Sequence, residues 1–377
     1  MLRHIAICLA LLCGLVRADE VPSLSITSGT DVAAWEKQRA VLLDTLLTEE
    51  YGRRPVERPD SLKFEKVYPD AKLRKPKYGM NAVRKVMFCR YKGPFGEDNF
   101  RFTAFIPSDA KGPVPAFVFI CNRNPGVNID PTRKQKSEFW PAEEIVNRGY
   151  AAIAFWNEQL ASDHHTAFST GVFRCFDDPS KPRAADAWGV LSAWAWGASR
   201  VMDWIETEPS INKDRVAVVG HSRGGKTALL AGATDRRFAM AVSNCSGCSG
   251  AKMHRYVGPR VELIDRSYAA CPFWFCPNFA KWRGKDAEVP FDQHWLVAQM
   301  APRLVYVNSA EGDPWAGPKG EKESVGLAEP AWTVYGKSGC TAYHCRAGIH
   351  DLKLEDWNRF MDFTDAHGWR GIGNAKQ

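Results

Sequence analysis

The chain has 377 residues, of which 45% are hydrophobic and 25% charged, and its formal net charge is +7. This length and composition suit one large globular domain, or one domain with insertions, that buries a sizeable core. The basic residues are scattered along the chain, so the sequence gives no indication of a nucleic-acid partner.

The first 18 residues have the pattern of a signal peptide. Arg3 and His4 form a short basic start, and residues 5–16 form an apolar segment that is too short to span a bilayer. Small residues end the segment at Ala18. We therefore expect cleavage after Ala18 and a mature protein, residues 19–377, that is secreted or periplasmic. No later segment is long and apolar enough for a membrane span.

Residues 19–377 are expected to form one domain, because the sequence has neither internal repeats nor a low-complexity linker. Its N-terminal extension is a predicted helix at residues 31–51, where apolar side chains recur at helical spacing. Two antiparallel strands, a buried strand, a helix and another buried strand follow, at residues 83–91, 99–107, 116–120, 138–148 and 151–155.

An irregular insertion near residues 156–182, rich in His, Asp and Phe, is expected to shape one wall of a pocket. A long helix is predicted at 184–206. Further strands are predicted at residues 215–219, 239–243, 304–308 and 332–335, and the last helix at 354–365. The alternation of strands and helices predicts an α/β protein whose mostly parallel central sheet has helices on both faces, in a three-layer sandwich.

The turn after the strand at 215–219 contains a candidate nucleophile. Gly220-His-Ser-Arg-Gly224 matches the G-x-S-x-G elbow of the α/β-hydrolase fold, in which the serine stands at the tip of a sharp turn between strand and helix. Side chains at Gly220 and Gly224 would collide with their neighbours. We therefore predict Ser222 as the nucleophile, against the alternative of an unreactive strand–turn–helix.

A nucleophilic serine needs a base and an acid, which follow it in this order along an α/β-hydrolase chain: serine, acid, histidine. His350 follows the last predicted strand and is the preferred base, with His344 as its rival. Asp313, in the loop after the strand ending at residue 308, is the preferred acid, because the adjacent proline suits a turn that aims the carboxylate back. Glu311 is the alternative acid, and a solvated acidic loop is the non-catalytic interpretation.

Positive charge and backbone donors near Ser222 indicate how an oxyanion would be stabilised. The backbone N–H of Arg223 is one predicted donor, and a second is expected near Asn122, in the loop after an earlier strand. The Arg223 side chain adds a cation, and Lys226 follows one helical turn later on the same side. Two cations beside the nucleophile fit a substrate with oxygen-rich or acidic groups. His294 is either a buried structural histidine or part of the pocket lining.

Eleven cysteines include two in the predicted leader, and an odd number of nine leaves at least one free thiol in the mature chain. Cys245, Cys248, Cys271 and Cys276 are the zinc candidates, but their spacing is poor. We therefore expect neither a metal site nor a cofactor.

The elbow and its surroundings resemble the glucuronoyl esterases, a family of carbohydrate esterases. Residues 220–226 look like the family's G-x-S-R-x-G-K signature. The similarity covers most of residues 184–365 and includes segments at 185–189, 194–196, 244–247, 290–294, 301–303, 309–315 and 348–351. The resemblance implies a bacterial-type member with the α/β-hydrolase fold.

The resemblance also implies an activity. Family members hydrolyse the ester between glucuronic acid, or its 4-O-methyl ether, on xylan and alcohols of lignin, and they need no metal. Carried over to this chain, Ser222 is the nucleophile, His350 the base and Arg223 an oxyanion stabiliser. Lys226 and Trp315 would contact the uronate sugar, and Glu262 would line its pocket.

The sequence departs from the family pattern at two positions. Many members carry the catalytic acid as a glutamate after the sixth strand, where this chain has Cys245. The acid then falls to Asp313, as the resemblance suggests for some bacterial members. Fungal members have a disulfide-bonded cysteine before the nucleophile, where this chain has His221, so that bridge cannot form.

Two alternative functions stay open at this point. One is another carbohydrate esterase, such as one that removes acetyl groups from xylan. The other is a non-catalytic sugar-binding homologue, which the cysteine at position 245 favours. The expected partner is glucuronoxylan or a lignin–carbohydrate ester, and we expect a monomer.

Overall fold

The computed structural model describes residues 21–370, so the predicted leader at residues 1–18 lies outside the described residues. A ten-stranded sheet runs through the molecule. Its strands are β1 (Lys63–Lys66), β2 (Ala71–Leu73), β3 (Ala82–Lys92), β4 (Glu97–Pro107), β5 (Val114–Cys121), β6 (Ala151–Trp156), β7 (Ile211–His221), β8 (Met240–Asn244), β9 (Leu304–Ala310) and β10 (Thr341–Arg346).

The helices alternate with these strands. They are α1 (Val32–Leu46), α2 (Pro125–Asn128), α3 (Ala142–Asn147), α4 (Gly171–Phe176), α5 (Val190–Ile205), α6 (Arg223–Thr234), α7 (Ile264–Ala270), α8 (Gln293–Ala298), α9 (Pro318–Ala328), α10 (Pro330–Thr333) and α11 (Leu354–Ala366). A π-helical turn, Leu47–Tyr51, extends α1. Within residues 21–370, no helix combines the length and the apolar character that crossing a membrane requires.

The sheet is mostly parallel, as predicted. Its strand order is β1-β3-β4-β6-β5-β7-β8-β9-β10, with β2 also paired to β3. From β6 to β10 along this order every pairing is parallel, while β1, β2, β3 and β4 pair antiparallel at one side. Every residue of β5, β8 and β9 is buried, so both faces of the sheet are covered.

The predicted helix at 31–51 is confirmed and packs onto the rest of the chain. Trp35, Leu42 and Leu46 enter a hydrophobic core that extends from Leu24 to Trp369. The Arg39 guanidinium on the same helix donates to the carbonyl of Gln299 at 2.9 Å. Apolar packing and a buried hydrogen bond thus hold the N-terminal helix against the end of α8.

Several predicted boundaries were wrong, mostly because Pro and Gly end or delay a helix. The helix predicted at 138–148 begins only after Pro141, and the one predicted at 184–206 begins after Gly189, whose backbone is extended. The insertion at 156–182 is less irregular than predicted, since it contains α4 and two 3-10 turns, Asn157–Gln159 and Ala167–Ser169.

The strand predicted at 332–335 was also wrong. Trp332 and Thr333 lie in the short helix α10, which starts at Pro330, a residue suited to the first turn of a helix, and Val334 and Tyr335 lie in the turn that follows. The last strand is β10 instead, and it contains His344, the rival base. The short edge strands β1 and β2 were not predicted.

None of the nine cysteines in the described chain takes part in a disulfide bond. Seven of them are buried, and Cys271 and Cys345 are half-buried. The fold of residues 21–370 is therefore held by its packed core rather than by covalent cross-links.

Candidate active site

The turn at Ser222 has the sharp geometry predicted for a nucleophile elbow. Strand β7 ends at His221, α6 begins at Arg223, and Ser222 between them has φ 57° and ψ −126°, a conformation that L-residues rarely adopt. A Cβ atom added at Gly220 would lie 1.9 Å from the carbonyl oxygen of Gly224. Glycine is therefore required at position 220 for strand and helix to approach this closely.

The structure brings the predicted base and acid together. His350 lies in the loop after β10 and Asp313 in the loop after β9, and His350 Nδ1 is 2.5 Å from Asp313 Oδ2. The Gly312 N–H donates to the Gly348 carbonyl at 2.8 Å, which ties the two loops to each other. Because Nδ1 is engaged by the carboxylate, Nε2 is the nitrogen left to exchange a proton with a substrate or a hydroxyl.

Burial distinguishes the two candidate acids. Asp313 is 4% exposed, and its Oδ1 accepts from the backbone N–H of Ala316 at 3.3 Å. Glu311, the alternative acid, has an exposed side chain. The structure thus places Asp313, rather than Glu311, against the imidazole of His350.

His344, the rival base, has both ring nitrogens occupied. Its Nδ1 lies 3.1 Å from the Tyr306 hydroxyl and its Nε2 3.0 Å from Asp356 Oδ1. An imidazole held on both sides within a strand has no nitrogen free for a substrate. His294 is held at one nitrogen, with Nε2 2.9 Å from the Pro22 carbonyl, while its buried Nδ1 has no hydrogen-bond partner among the described residues. Burial lowers the pKa of His294 to about 4.

The ring of His221 packs against the ring of His350, the candidate base. Its ring centroid lies 4.4 Å from that of His350, and its Nδ1 is hydrogen-bonded to Asn244 Oδ1. Burial, and secondarily the neighbouring His350, hold the pKa of His221 well below its usual range, so this ring is neutral. The sequence had given His221 no role beyond the absence of a disulfide.

Arg223 and Asn122, the predicted oxyanion group, are in direct contact. Arg223 Nη2 donates to the Asn122 carbonyl at 2.9 Å, and Arg223 Nε lies 2.6 Å from Asp163 Oδ2. The Asn122 side chain is buried, and its Oδ1 has no hydrogen-bond partner within the described part of the chain. Asp163 comes from the insertion, and sequence reasoning missed it because the insertion has no periodicity to place its side chains.

The predicted sugar-contacting residues form a second group beside the elbow. Lys226 and Glu262 are both buried and form an ion pair, with Nζ 2.9 Å from Oε2. Lys226 Nζ also donates to the Cys248 carbonyl and lies 5.8 Å from the Trp274 ring centroid. Trp315 is 45% exposed, and its carbonyl accepts from the Glu262 N–H at 2.8 Å. A buried ion pair with an exposed indole beside it can bind several hydroxyl groups of a sugar.

Cys245 lies against the base and the acid. Its sulfur, one carboxylate oxygen of Asp313 and one ring nitrogen of His350 all lie within 4.8 Å of one another. Among residues 21–370, these three are the cluster whose residue types could bind a metal ion. Burial, together with the negative charges of Glu321 and Asp313, holds the pKa of the Cys245 thiol well above its usual range. A protonated thiol therefore occupies the position beside the imidazole, and the Cys245, Cys248, Cys271 and Cys276 set does not come together as a ligand group in the described chain.

A serine in a strained elbow, followed in chain order by a buried aspartate paired with a histidine, is the arrangement of α/β-hydrolases. The family model described as "Glucuronyl esterase, fungi" matches residues 97–339 of this chain. A prokaryotic protein named "Carbohydrate esterase MZ0003" is 32% identical, over 93% of this chain and 89% of its own length. The chain therefore belongs to the glucuronoyl esterase family and is a carboxylic ester hydrolase.

A solved structure supports the same assignment. A glucuronoyl esterase from Solibacter usitatus is 30% identical, superposes with a TM-score of 0.82, and matches over 92% of this chain and 97% of its own. The 4-O-methyl-glucuronoyl methylesterase of Hypocrea jecorina is 32% identical over 54% of this chain. The matched region spans only 44% of that fungal relative's length, so the fungal likeness concerns a part of each protein.

Proposed function

We propose that this protein hydrolyses the ester between (4-O-methyl)glucuronic acid of xylan and an alcohol of lignin, through an acyl-enzyme on Ser222. The observation that carries the proposal is the buried ion pair between Lys226 and Glu262. Lys226 lies one helical turn after the nucleophile, and the Trp274 ring is beside its ammonium group. An acetyl group offers nothing for a buried cation, a carboxylate and an indole to bind, whereas a uronate ring offers several hydroxyls.

In the first half of the proposed reaction, Ser222 is acylated. His350 Nε2 takes the proton of the Ser222 hydroxyl as the serine oxygen bonds to the ester carbonyl carbon. Asp313, bonded to Nδ1, holds the imidazole in the required tautomer and stabilises the imidazolium. The backbone N–H and the guanidinium of Arg223 donate to the oxyanion.

The first half ends when the bond between the carbonyl carbon and the alcohol oxygen breaks and His350 Nε2 returns its proton to the departing alcohol, which leaves the acyl group on Ser222. In the second half, the acyl group is released. Water then gives a proton to the same nitrogen and its oxygen to the carbonyl carbon. The bond to Ser222 breaks as the serine oxygen regains the proton, and the products are free uronate and the alcohol.

We further propose that the protein acts outside the cytoplasm. The support for this is the basic, apolar and small-residue pattern of residues 1–18. Export suits a polymeric substrate, because xylan does not enter cells. Mass determination of the N-terminus after expression with the leader would test the proposed cleavage after Ala18.

The deciding experiment compares the benzyl ester of glucuronic acid with an acetyl ester. We expect the wild type to prefer the uronate ester, and Ser222→Ala to lose roughly 10⁴-fold or more in kcat on it. Lys226→Gln should lower the preference for the uronate ester about tenfold, because a neutral amide is a weaker donor than an ammonium. Lys285→Met, which alters an exposed lysine, is the control and should keep the preference.

The other two functions correspond to different outcomes. A wild-type preference for the acetyl ester would replace the proposal with an acetyl esterase. Tight binding of glucuronoxylan without turnover of either ester, unchanged in Ser222→Ala, would replace it with a sugar-binding protein.

A further inference from the structure

Asp163 contacts both sides of the candidate site. It lies in the insertion, between the 3-10 turn Asn157–Gln159 and α4, and its side chain is only 14% exposed. Its two carboxylate oxygens have different partners. Oδ2 lies 2.6 Å from Arg223 Nε, and Oδ1 accepts from the indole N–H of Trp274 at 2.6 Å. One carboxylate thus joins the residue next to the nucleophile to a residue on a distant loop.

The Arg223 guanidinium has an ion-pair partner and a hydrogen-bond partner. Its buried Nε lies 2.6 Å from Asp163 Oδ2 as an ion pair without the alignment of a hydrogen bond, and Nη2 donates to the Asn122 carbonyl. No hydrogen bond within residues 21–370 uses Nη1, so this nitrogen can donate to a substrate oxygen. A long side chain fixed at its base and at one tip keeps its remaining donor in one direction, which lowers the entropy lost when the donor meets an oxyanion.

Trp274 extends the contact toward the sugar-binding group. Its ring centroid is 5.8 Å from Lys226 Nζ. Its backbone is fixed as well, because a Cβ added at Gly189 would lie 2.2 Å from the Trp274 carbonyl oxygen. The hydrogen bond from the indole to Asp163 therefore sets the rotation of a ring that the backbone has already positioned.

We propose that Asp163 is a positioning residue that aligns Arg223 with the oxyanion and Trp274 with the uronate ring. Its action through Arg223 applies to any ester that the enzyme cleaves, while its action through Trp274 rests on the proposed uronate substrate. The two effects can therefore be measured separately, and a wrong substrate assignment would leave the first one intact.

The same insertion contains a matched control. Asp177 also accepts from an indole, that of Trp188 at 2.7 Å, and its other oxygen bonds to the Arg183 guanidinium. This second carboxylate–arginine–tryptophan group has no contact with Arg223 or Trp274 among its hydrogen bonds in the described chain. Asp177→Asn thus reports what loss of such a group does to the fold of the insertion alone.

The test measures kcat and KM of Asp163→Asn, Trp274→Phe and Asp177→Asn on a benzyl glucuronate and on an acetyl ester. Asp163→Asn should lose about 10–100-fold in kcat on both esters, because the guanidinium is no longer held. Trp274→Phe should raise KM for the glucuronate about threefold to tenfold and raise KM for the acetyl ester by less. Asp177→Asn should keep kcat on both and lose only thermal stability.

A double-mutant cycle separates positioning from general damage. In an Arg223→Gln background, Asp163→Asn should cause no further loss of kcat, because the group that it positions is gone. Additive losses would overturn the proposal, as would a kcat within about twofold of wild type in folded Asp163→Asn, or equal losses in Asp163→Asn and Asp177→Asn. If Asp163→Asn does not fold, Asp163→Glu takes its place. We then expect a loss of kcat that Arg223→Gln masks, and wild-type kcat would overturn the proposal.

Discussion

Two histidine–aspartate pairs occupy the end of β10, and they differ in what surrounds the ring. His344 is 10% exposed and is held at both nitrogens, by Tyr306 and by the fully buried Asp356. His350, in the loop that follows, is 38% exposed and, among the residues that the structure describes, is held at Nδ1 alone, by Asp313. A carboxylate partner by itself therefore does not identify a catalytic base. The histidine must also have a second ring nitrogen that is free to exchange a proton, as Nε2 of His350 is.

The aspartates differ in the same way. Asp356 accepts from four donors, the side chains of Asn308, His344 and Arg346 and the backbone N–H of Lys353, all within 3.0 Å. Asp313 accepts from the imidazole and from one backbone N–H. The Asp356 carboxylate cross-links β9, β10 and α11, whereas the side-chain contacts of Asp313 serve mainly to orient one imidazole ring.

Replacing each histidine by glutamine should give the largest difference between His350 and His344. His350→Gln removes the only group proposed to move protons, so kcat should fall at least about 10⁴-fold. His344→Gln should stay within about threefold of wild type in kcat but lose about 2 kcal/mol of unfolding free energy, because buried hydrogen bonds are lost. Ester hydrolysis and urea unfolding of both variants decide this, and an inactive but stable His344→Gln would reverse the assignment.

Replacement of the acid should have the next largest effect. Asp313→Asn should lower kcat roughly 10³–10⁴-fold, since the imidazole loses its tautomer control. Cys245 offers a rescue, because its sulfur already lies within 4.8 Å of the acid and base atoms. Adding Cys245→Glu should restore about tenfold or more of the lost kcat, since a carboxylate then reaches Nδ1 from the other side.

The control for this rescue is Cys245→Gln in the same Asp313→Asn background. Glutamine has the size of glutamate without its charge, so it should restore nothing. Equal kcat for the glutamate and glutamine double variants would contradict the expectation that a carboxylate at position 245 can replace that of Asp313.

The parts of this site that the sequence predicted are those attached directly to buried strands. Runs of apolar residues predicted β7, β8 and β9. The positions of Ser222 and Asp313 could then be predicted, because each follows the carboxyl end of one of these strands. Strand β10 escaped prediction because five of its six residues are only half-buried and show no apolar run.

The parts that the sequence could not predict depend on contacts between distant segments. Asp163 lies in an insertion without periodicity, and nothing local indicates that it meets Arg223. The family resemblance placed Lys226 and Glu262 at the sugar but did not predict their ion pair, because residues 245–263, which lead from β8 past Glu262, contain no helix or strand that fixes their path. Tertiary geometry, rather than local propensity, places these side chains.

Asp356→Asn tests whether the second aspartate contributes to stability rather than to catalysis. The fully buried carboxylate is the acceptor for two cationic or ionisable side chains, so its loss should cost about 3 kcal/mol of unfolding free energy. Well below its melting temperature the folded variant should keep kcat within about threefold of wild type. Asp313→Asn is the reciprocal control, and unfolding curves showing a larger loss of stability for it than for Asp356→Asn would contradict the division of roles.

The smallest expected effect concerns Asp351, the residue directly after His350. Burial alone would raise its pKa, but Lys353 and Arg123 lower it to about 2. A folded-state pKa below the unfolded value means that the stability contributed by this carboxylate is present above the unfolded pKa, about 3.8, and is lost as the pH falls through about 2. Between about pH 5 and pH 3 the wild type should therefore lose about 1 kcal/mol more unfolding free energy than Asp351→Asn. Urea titrations of both proteins at the two pH values measure this difference, and parallel losses would mean that Arg123 and Lys353 do not hold the loop of His350 by charge.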